Sequence, residues 1–161
     1  MEVLKKQDHG RHPQWDILIS NPPYISPQAF NRTTSRSVRN FEPKLALVPS
    51  PQPISSPIDP GDVFYPRLLT IAKAVDAKLV LFEVADLEQA QRVASMVQKE
   101  GIWERTEIWR DDPTTSEEGW SENVANNGTD DSVLVRGRGN GRSVVASRGE
   151  ALQWVKESQT N

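Results

Sequence analysis

The sequence predicts an α/β protein. Three observations carry that prediction. Short apolar runs rich in β-formers end at Ser20, near Glu83 and at Arg110, stretches with apolar residues at helical spacing lie between them, and glycine or proline punctuates most boundaries. Strand, helix, strand, helix, strand in this order implies a mostly parallel sheet, and ligands of such sheets sit beyond the carboxyl ends of the strands.

Taken in order, Trp15 to Ser20 (WDILIS) reads as a buried strand stopped by Asn21-Pro22-Pro23, because proline removes a backbone donor and disfavours helix in the residue before it. Residues 49–60 hold five prolines and three serines, a composition that makes an extended loop. A helix follows, with Asp62 as candidate cap, Pro66 in the first turn, and Leu68, Ile71, Ala72 and Val75 facing the core. Lys78 to Val84 (KLVLFEV) is a second buried strand that ends near Glu83. Asp86 and Gln89 make a capping-box pattern, Ala90, Val93, Ala94 and Val97 form one apolar stripe, and Gly101 supplies the stop. Thr106 to Arg110 (TEIWR) is a third strand, and residues 111–131 are a polar loop. Ser132 to Arg136 and Ser143 to Ser147 are short strands around a glycine-rich turn, where Arg136, Arg138, Arg142 and Arg148 form a solvated basic hairpin. Ala151 to Lys156 is a terminal helix.

The chain of 161 residues suits one domain. A net charge of −3 with mixed signs argues against a protein that grips nucleic-acid backbone. With no cysteine there is neither a disulfide nor a thiolate metal site, and we assign no metal to the two histidines, His9 and His12. No apolar run approaches the ~20 residues of a membrane span, and residues 1–14 carry neither a signal-peptide core nor an Arg/Ser-rich presequence. The expectation is an intracellular protein, mitochondrial or cytoplasmic, without a targeting signal in this chain.

The chemistry concentrates in Asn21-Pro22-Pro23-Tyr24, at the carboxyl end of the first strand. An exocyclic or carboxamide nitrogen is a poor nucleophile because its lone pair is delocalised. Acceptors aimed at both of its N–H groups favour the pyramidal nitrogen of the transition state, the mirror image of an oxyanion hole. The Asn21 side-chain oxygen and the Pro22 carbonyl are candidate acceptors, Pro23 stiffens the backbone behind them, and Tyr24 offers a flat face to a planar group. The bland alternative is a proline turn that merely ends a strand.

This tetrapeptide resembles the (N/D)PP(Y/F) motif of class I amino-methyltransferases, which methylate adenine, cytosine or glutamine nitrogen from S-adenosylmethionine. SNPPYI together with TTSRSVRNFEPKLALV (Thr33 to Val48) is similar to release-factor glutamine methyltransferases of the HemK type, with wording close to fungal or mitochondrial members. Asp62-Val63-Phe64-Tyr65, Leu79 to Glu83 and Gly141 to Arg148 (GRSVVASR) resemble further segments of that family, so the likeness covers most of residues 15–101 and the rest loosely. The resemblance implies a Rossmann-like sheet, S-adenosylmethionine as cofactor, and the glutamine of a peptide chain release factor's Gly-Gly-Gln loop as substrate. It places the glutamine amide on Asn21 and Pro22, lines the substrate site with Pro23 and Tyr24, and brings Asn21 beside the methyl donor. Glu42 is expected to anchor the loop after this corner, and Glu83 to be either functional or a strand-end acid satisfied by nearby backbone.

In this family a helical domain, a glycine-rich strand turn and a ribose-binding acid precede the motif, so residues 1–161 read as the C-terminal part of a catalytic domain. Val133 to Gly141 (VLVRGRGNG) is the one segment that tempts a cofactor-loop reading, which requires it to open a helix. A strand such as 15–20 without its neighbour leaves an apolar edge, and self-association follows. The rival readings are an adenine-amino methyltransferase of DNA or RNA, and a non-catalytic interaction module that keeps the fold.

Overall fold

In the computed structural model, which describes residues 14–32, 34–51, 58–113, 120–123 and 132–157, the elements run in the order β1 (Ile17–Ser20), α1 (Pro27–Arg32), α2 (Arg36–Phe41), α3 (Lys44–Leu47), α4 (Tyr65–Ala74), β2 (Leu79–Glu83), α5 (Leu87–Lys99), β3 (Arg105–Asp112), β4 (Trp120–Asn123), β5 (Ser132–Arg136), β6 (Arg138–Ser147) and α6 (Ala151–Glu157). The α/β class holds. The described strands form one sheet, ordered β1-β2-β6-β3-β5-β4. β1 pairs parallel with β2 and β3 with β5, but β6 runs antiparallel to both β2 and β3, and β4 antiparallel to β5. The expected mostly parallel sheet is therefore corrected to a mixed one. A parallel return needs a long crossover, and between β5 and β6 there is a single residue, Gly137, so β6 must run back against its neighbours.

That single residue also replaces the expected hairpin. β5 and β6 do not pair with each other, since β3 lies between them. The chain arches over the carboxyl end of β3 so closely that a Cβ on Gly137 would lie 1.9 Å from the Asp112 carbonyl oxygen. Gly137 has φ +82°, a left-handed conformation that glycine adopts without strain.

Period-2 alternation sorts the strands into two faces. One face carries Leu18, Val80, Phe82, Val84, Ile108, Val133, Val135, Val144 and Ala146. It packs against Tyr65, Leu69 and Ala72 of α4 and Ala90, Val93, Ala94 and Val97 of α5, forming the core. Asp86 caps α5 as expected, its side chain accepting from Gln89 N at 2.8 Å. Asp62 does not cap α4, whose N-terminal flank is Phe64. It is 1% exposed, and its carboxylate accepts from Arg92 Nε at 2.6 Å. The opposite face leaves Ile17 49% and Ile19 67% exposed. It also holds a buried carboxylate: Glu107 is ion-paired with Arg105 and Arg136, each at 2.5 Å, and accepts from Trp109 Nε1 at 2.7 Å.

Between β1 and α4, the three short helices α1 to α3 were not expected. They bring the chain back to the carboxyl end of β1, where Ile25 N donates to Leu47 O at 2.9 Å. Residues 52–57 of the proline-rich loop, most of the 111–131 stretch, and His9 and His12 lie outside the described residues. Among the described residues no helix is long and apolar enough to cross a membrane, and no group of three or more His, Cys, Asp or Glu forms a metal site.

Candidate active site at the carboxyl ends of β1 and β2

Parallel pairing in the register Ile19↔Leu81 and Ser20↔Phe82 makes β1 and β2 end side by side. Asn21 through Tyr24 thus emerges next to Glu83. Asn21 is exposed, Pro22 buried, and Pro23 and Tyr24 half-buried. Among the described residues neither the Asn21 amide nor the Pro22 carbonyl has a hydrogen-bond partner, so both remain free to meet a ligand. Pro23 has no N–H, so the donor two residues on that would close a local turn onto the Asn21 side-chain oxygen is absent.

Tyr24 is held at both ends. Its hydroxyl donates to Glu83 Oε1 at 2.8 Å, and its carbonyl accepts from Gln89 Nε2 at 3.1 Å. Gln89 is 3% exposed, and its amide also donates to Gly61 O at 3.1 Å and Asp62 Oδ1 at 2.8 Å while accepting from Ala85 N at 2.8 Å. One buried side chain therefore joins the corner, the turn before α4 and the turn before α5. The approach is tight. A Cβ on Gly61 would sit 2.6 Å from Tyr24 O. Burial, reinforced by the bond to Glu83, pushes the Tyr24 phenol up to about 12. Burial likewise raises Tyr65, whose hydroxyl donates to the Glu83 carbonyl at 2.8 Å. Glu83 thus receives one tyrosine on its carboxylate and another on its backbone, and among the described residues no nearby backbone group bonds its side chain.

The structure gathers Asn21, Pro22, Pro23, Tyr24 and Glu83 at one place. Glu42 ends α2, where its backbone N donates to Val38 O at 3.0 Å, and its side chain is exposed. No anchoring side-chain bond from Glu42 is present among the described residues. Sequence reading missed Gln89 and Gly61 as partners of the corner. The Asp86/Gln89 pattern did mark Gln89, but only as a cap.

For S-adenosylmethionine the fit is one-sided. The glycine-rich segment from Gly137 to Gly141 does not open a helix, and its space is taken by β3. A Cβ on Gly139 would lie 2.6 Å from Asp111 Oδ2, Asn140 N donates to that oxygen at 2.9 Å, and Arg142 pairs with Asp111 Oδ1. The anion held by this segment is the chain's own carboxylate, whose pKa the Arg142 bond lowers. The described residues present a corner with two free acceptor oxygens and do not by themselves build a cradle for the cofactor.

Two acceptor oxygens beside an aromatic ring can receive a planar NH₂ group. The chain is similar to the probable MRF1 mitochondrial N(5)-glutamine methyltransferase mtq1 of Schizosaccharomyces pombe, at 34% identity over 89 residues covering 50% of this chain and 26% of that protein. It is also similar to the mitochondrial MRF1 N(5)-glutamine methyltransferase MTQ1 of Saccharomyces cerevisiae, at 47% identity over 47 residues covering 29% of this chain and 15% of that protein. The similarity thus spans about a quarter or less of the length of these curated relatives. No protein-family model matches the chain, and no solved structure does.

Proposed function

We propose that residues 1–161 form the C-terminal part of a partial Rossmann-like catalytic domain. The domain belongs to an S-adenosylmethionine-dependent methyltransferase acting on the side-chain amide nitrogen of glutamine in the Gly-Gly-Gln loop of a mitochondrial peptide chain release factor. The observation that carries this reading is the corner Asn21-Pro22-Pro23-Tyr24, free at its two acceptor oxygens and tethered behind them, in a chain similar to proteins named N(5)-glutamine methyltransferases.

In this reading Asn21 Oδ1 and the Pro22 carbonyl accept the two amide hydrogens of the glutamine. As the nitrogen pyramidalises toward the transferring methyl, those acceptors fit it better than they fit the flat ground state, and the difference lowers the barrier. Tyr24 packs its ring on the amide and excludes water from one side. Asn21 also borders the methyl donor.

The test is transfer of a labelled methyl group by the full-length protein to a Gly-Gly-Gln peptide, with adenine-containing oligonucleotides as the competing substrate. Label on the peptide glutamine is expected, and it should fall about 100- to 1000-fold in Asn21→Ala, the loss typical of deleting one preorganised transition-state contact. Label confined to adenine would replace this reading with the nucleic-acid one.

A further inference from the structure

The corner's two tethers differ in kind. Gln89 holds the Tyr24 backbone and is buried among backbone partners and the Asp62 carboxylate, as a structural amide would be. Glu83 instead reaches a side chain whose ring belongs to the site. It is the last residue of β2, so the sheet fixes its position, and it meets a residue 59 positions earlier in the chain. A phenylalanine at position 24 would fill the same space without asking for a carboxylate. Ordering a half-buried carboxylate onto a phenol is therefore a cost that packing alone does not require. The hydroxyl lies on the long axis of the ring. A bond made there leaves rotation about χ2 free but fixes χ1, which decides where the ring points.

We propose that Glu83 is the positioning residue of the acceptor site, its carboxylate fixing the axis of the Tyr24 ring through χ1 so that the ring lies where the substrate amide packs. This rests on the reading that the corner binds a glutamine amide. Arg142 lies near enough to influence both Glu83 and Tyr24, and Val84 N donates to Arg142 O at 2.9 Å, so the middle of β6 borders the same side of the site. Glu42 also faces Tyr24 through space, and Tyr65 occupies the Glu83 carbonyl.

Two measurements test it. In this chain, α–β proton couplings of Tyr24 read χ1 directly. One large and one small coupling are expected in the wild type and in Glu83→Gln, which keeps an acceptor oxygen, and converging couplings in Glu83→Ala. In the full-length protein, Glu83→Ala should lower kcat on a Gly-Gly-Gln peptide about 10- to 100-fold, the scale of a small misplacement at a reacting centre. Glu83→Gln should restore most of that loss. Tyr24→Phe and Glu83→Ala should be non-additive in kcat, as expected of two ends of one bond. A merely structural glutamate predicts additive losses and couplings indifferent to Glu83. Either of those results overturns the proposal. Full turnover in Asn21→Ala would instead remove the amide-binding reading while leaving the coupling measurement intact, so the two failures are distinguishable.

Discussion

Gln89 shows how much can rest on one side chain of the site's support. Replacing it with leucine would leave the Tyr24 and Gly61 carbonyls, Ala85 N and part of the Asp62 carboxylate without their partner inside the protein. Each buried polar group so orphaned costs about 1–3 kcal/mol, and water can reach only the less buried ones. We expect Gln89→Leu to lower stability by about 2–4 kcal/mol, read from urea unfolding. Tyr24 gives a second prediction at this scale. Its phenol is held up to about 12 against an ordinary 10.0, so the folded state keeps the proton where the unfolded chain has released it. The resulting stabilisation is complete below pH 10 and is lost as pH rises toward 12. Urea unfolding across that alkaline window should show wild type losing more stability than Tyr24→Phe. Tyr65, raised mainly by burial, is present in both proteins, and most of its contribution cancels.

At the scale of elements, the arch over β3 makes the sharpest prediction. In Gly137→Ala a methyl group would have to occupy space 1.9 Å from a backbone oxygen, in a left-handed conformation. The arch must shift, and β6 with it. A loss of about 2 kcal/mol or more is expected, measured by thermal melting, with Gly101→Ala milder because nothing lies within 4 Å of its Cβ. This arch also shows what the sequence could and could not convey. β1, β2, α5 and β3 were legible because each carries its own apolar period, and the place of the corner was legible because two prolines end a strand. Which strand lies beside which is not a local property. Val144 to Ala146 reads as a strand from its residues, but its insertion between β2 and β3 depends on the height at which a one-residue arch can clear Asp112. α1 to α3 were missed for a similar reason. Their apolar residues make no continuous stripe, Phe41 and Leu45 being 85% and 79% exposed while Phe30 is buried, and they are held by a local cap at Ser35 and by the bond from Ile25 N to Leu47 O. Gln89 was assigned to a cap because three-residue spacing is visible in sequence, while its contact with Tyr24, 65 residues away, is not.

For the whole molecule the decisive feature is asymmetry between the two sheet faces. α4 and α5 cover one, whereas on the other Ile17 and Ile19 stand exposed at the edge strand, with Trp15 55% exposed just before it. Among the described residues β1 pairs on one side only, so an unpaired ladder of backbone groups and an apolar surface coincide. Coincidence of that kind is a template for a second strand, and short charged or interrupted edges are the usual protection against it. β1 spans only four residues, but ILIS carries no charge and no proline to interrupt it. The chain is therefore expected to self-associate, with sedimentation velocity showing a weight-average mass that climbs with protein concentration. Lysine at both exposed positions, Ile17→Lys with Ile19→Lys, should return it to monomer. These substitutions leave the buried face untouched, so the melting transition should persist. Concentration-independent monomer in the unmodified chain would mean that the bare edge is protected by some other contact, and the association argued from it would have to be abandoned.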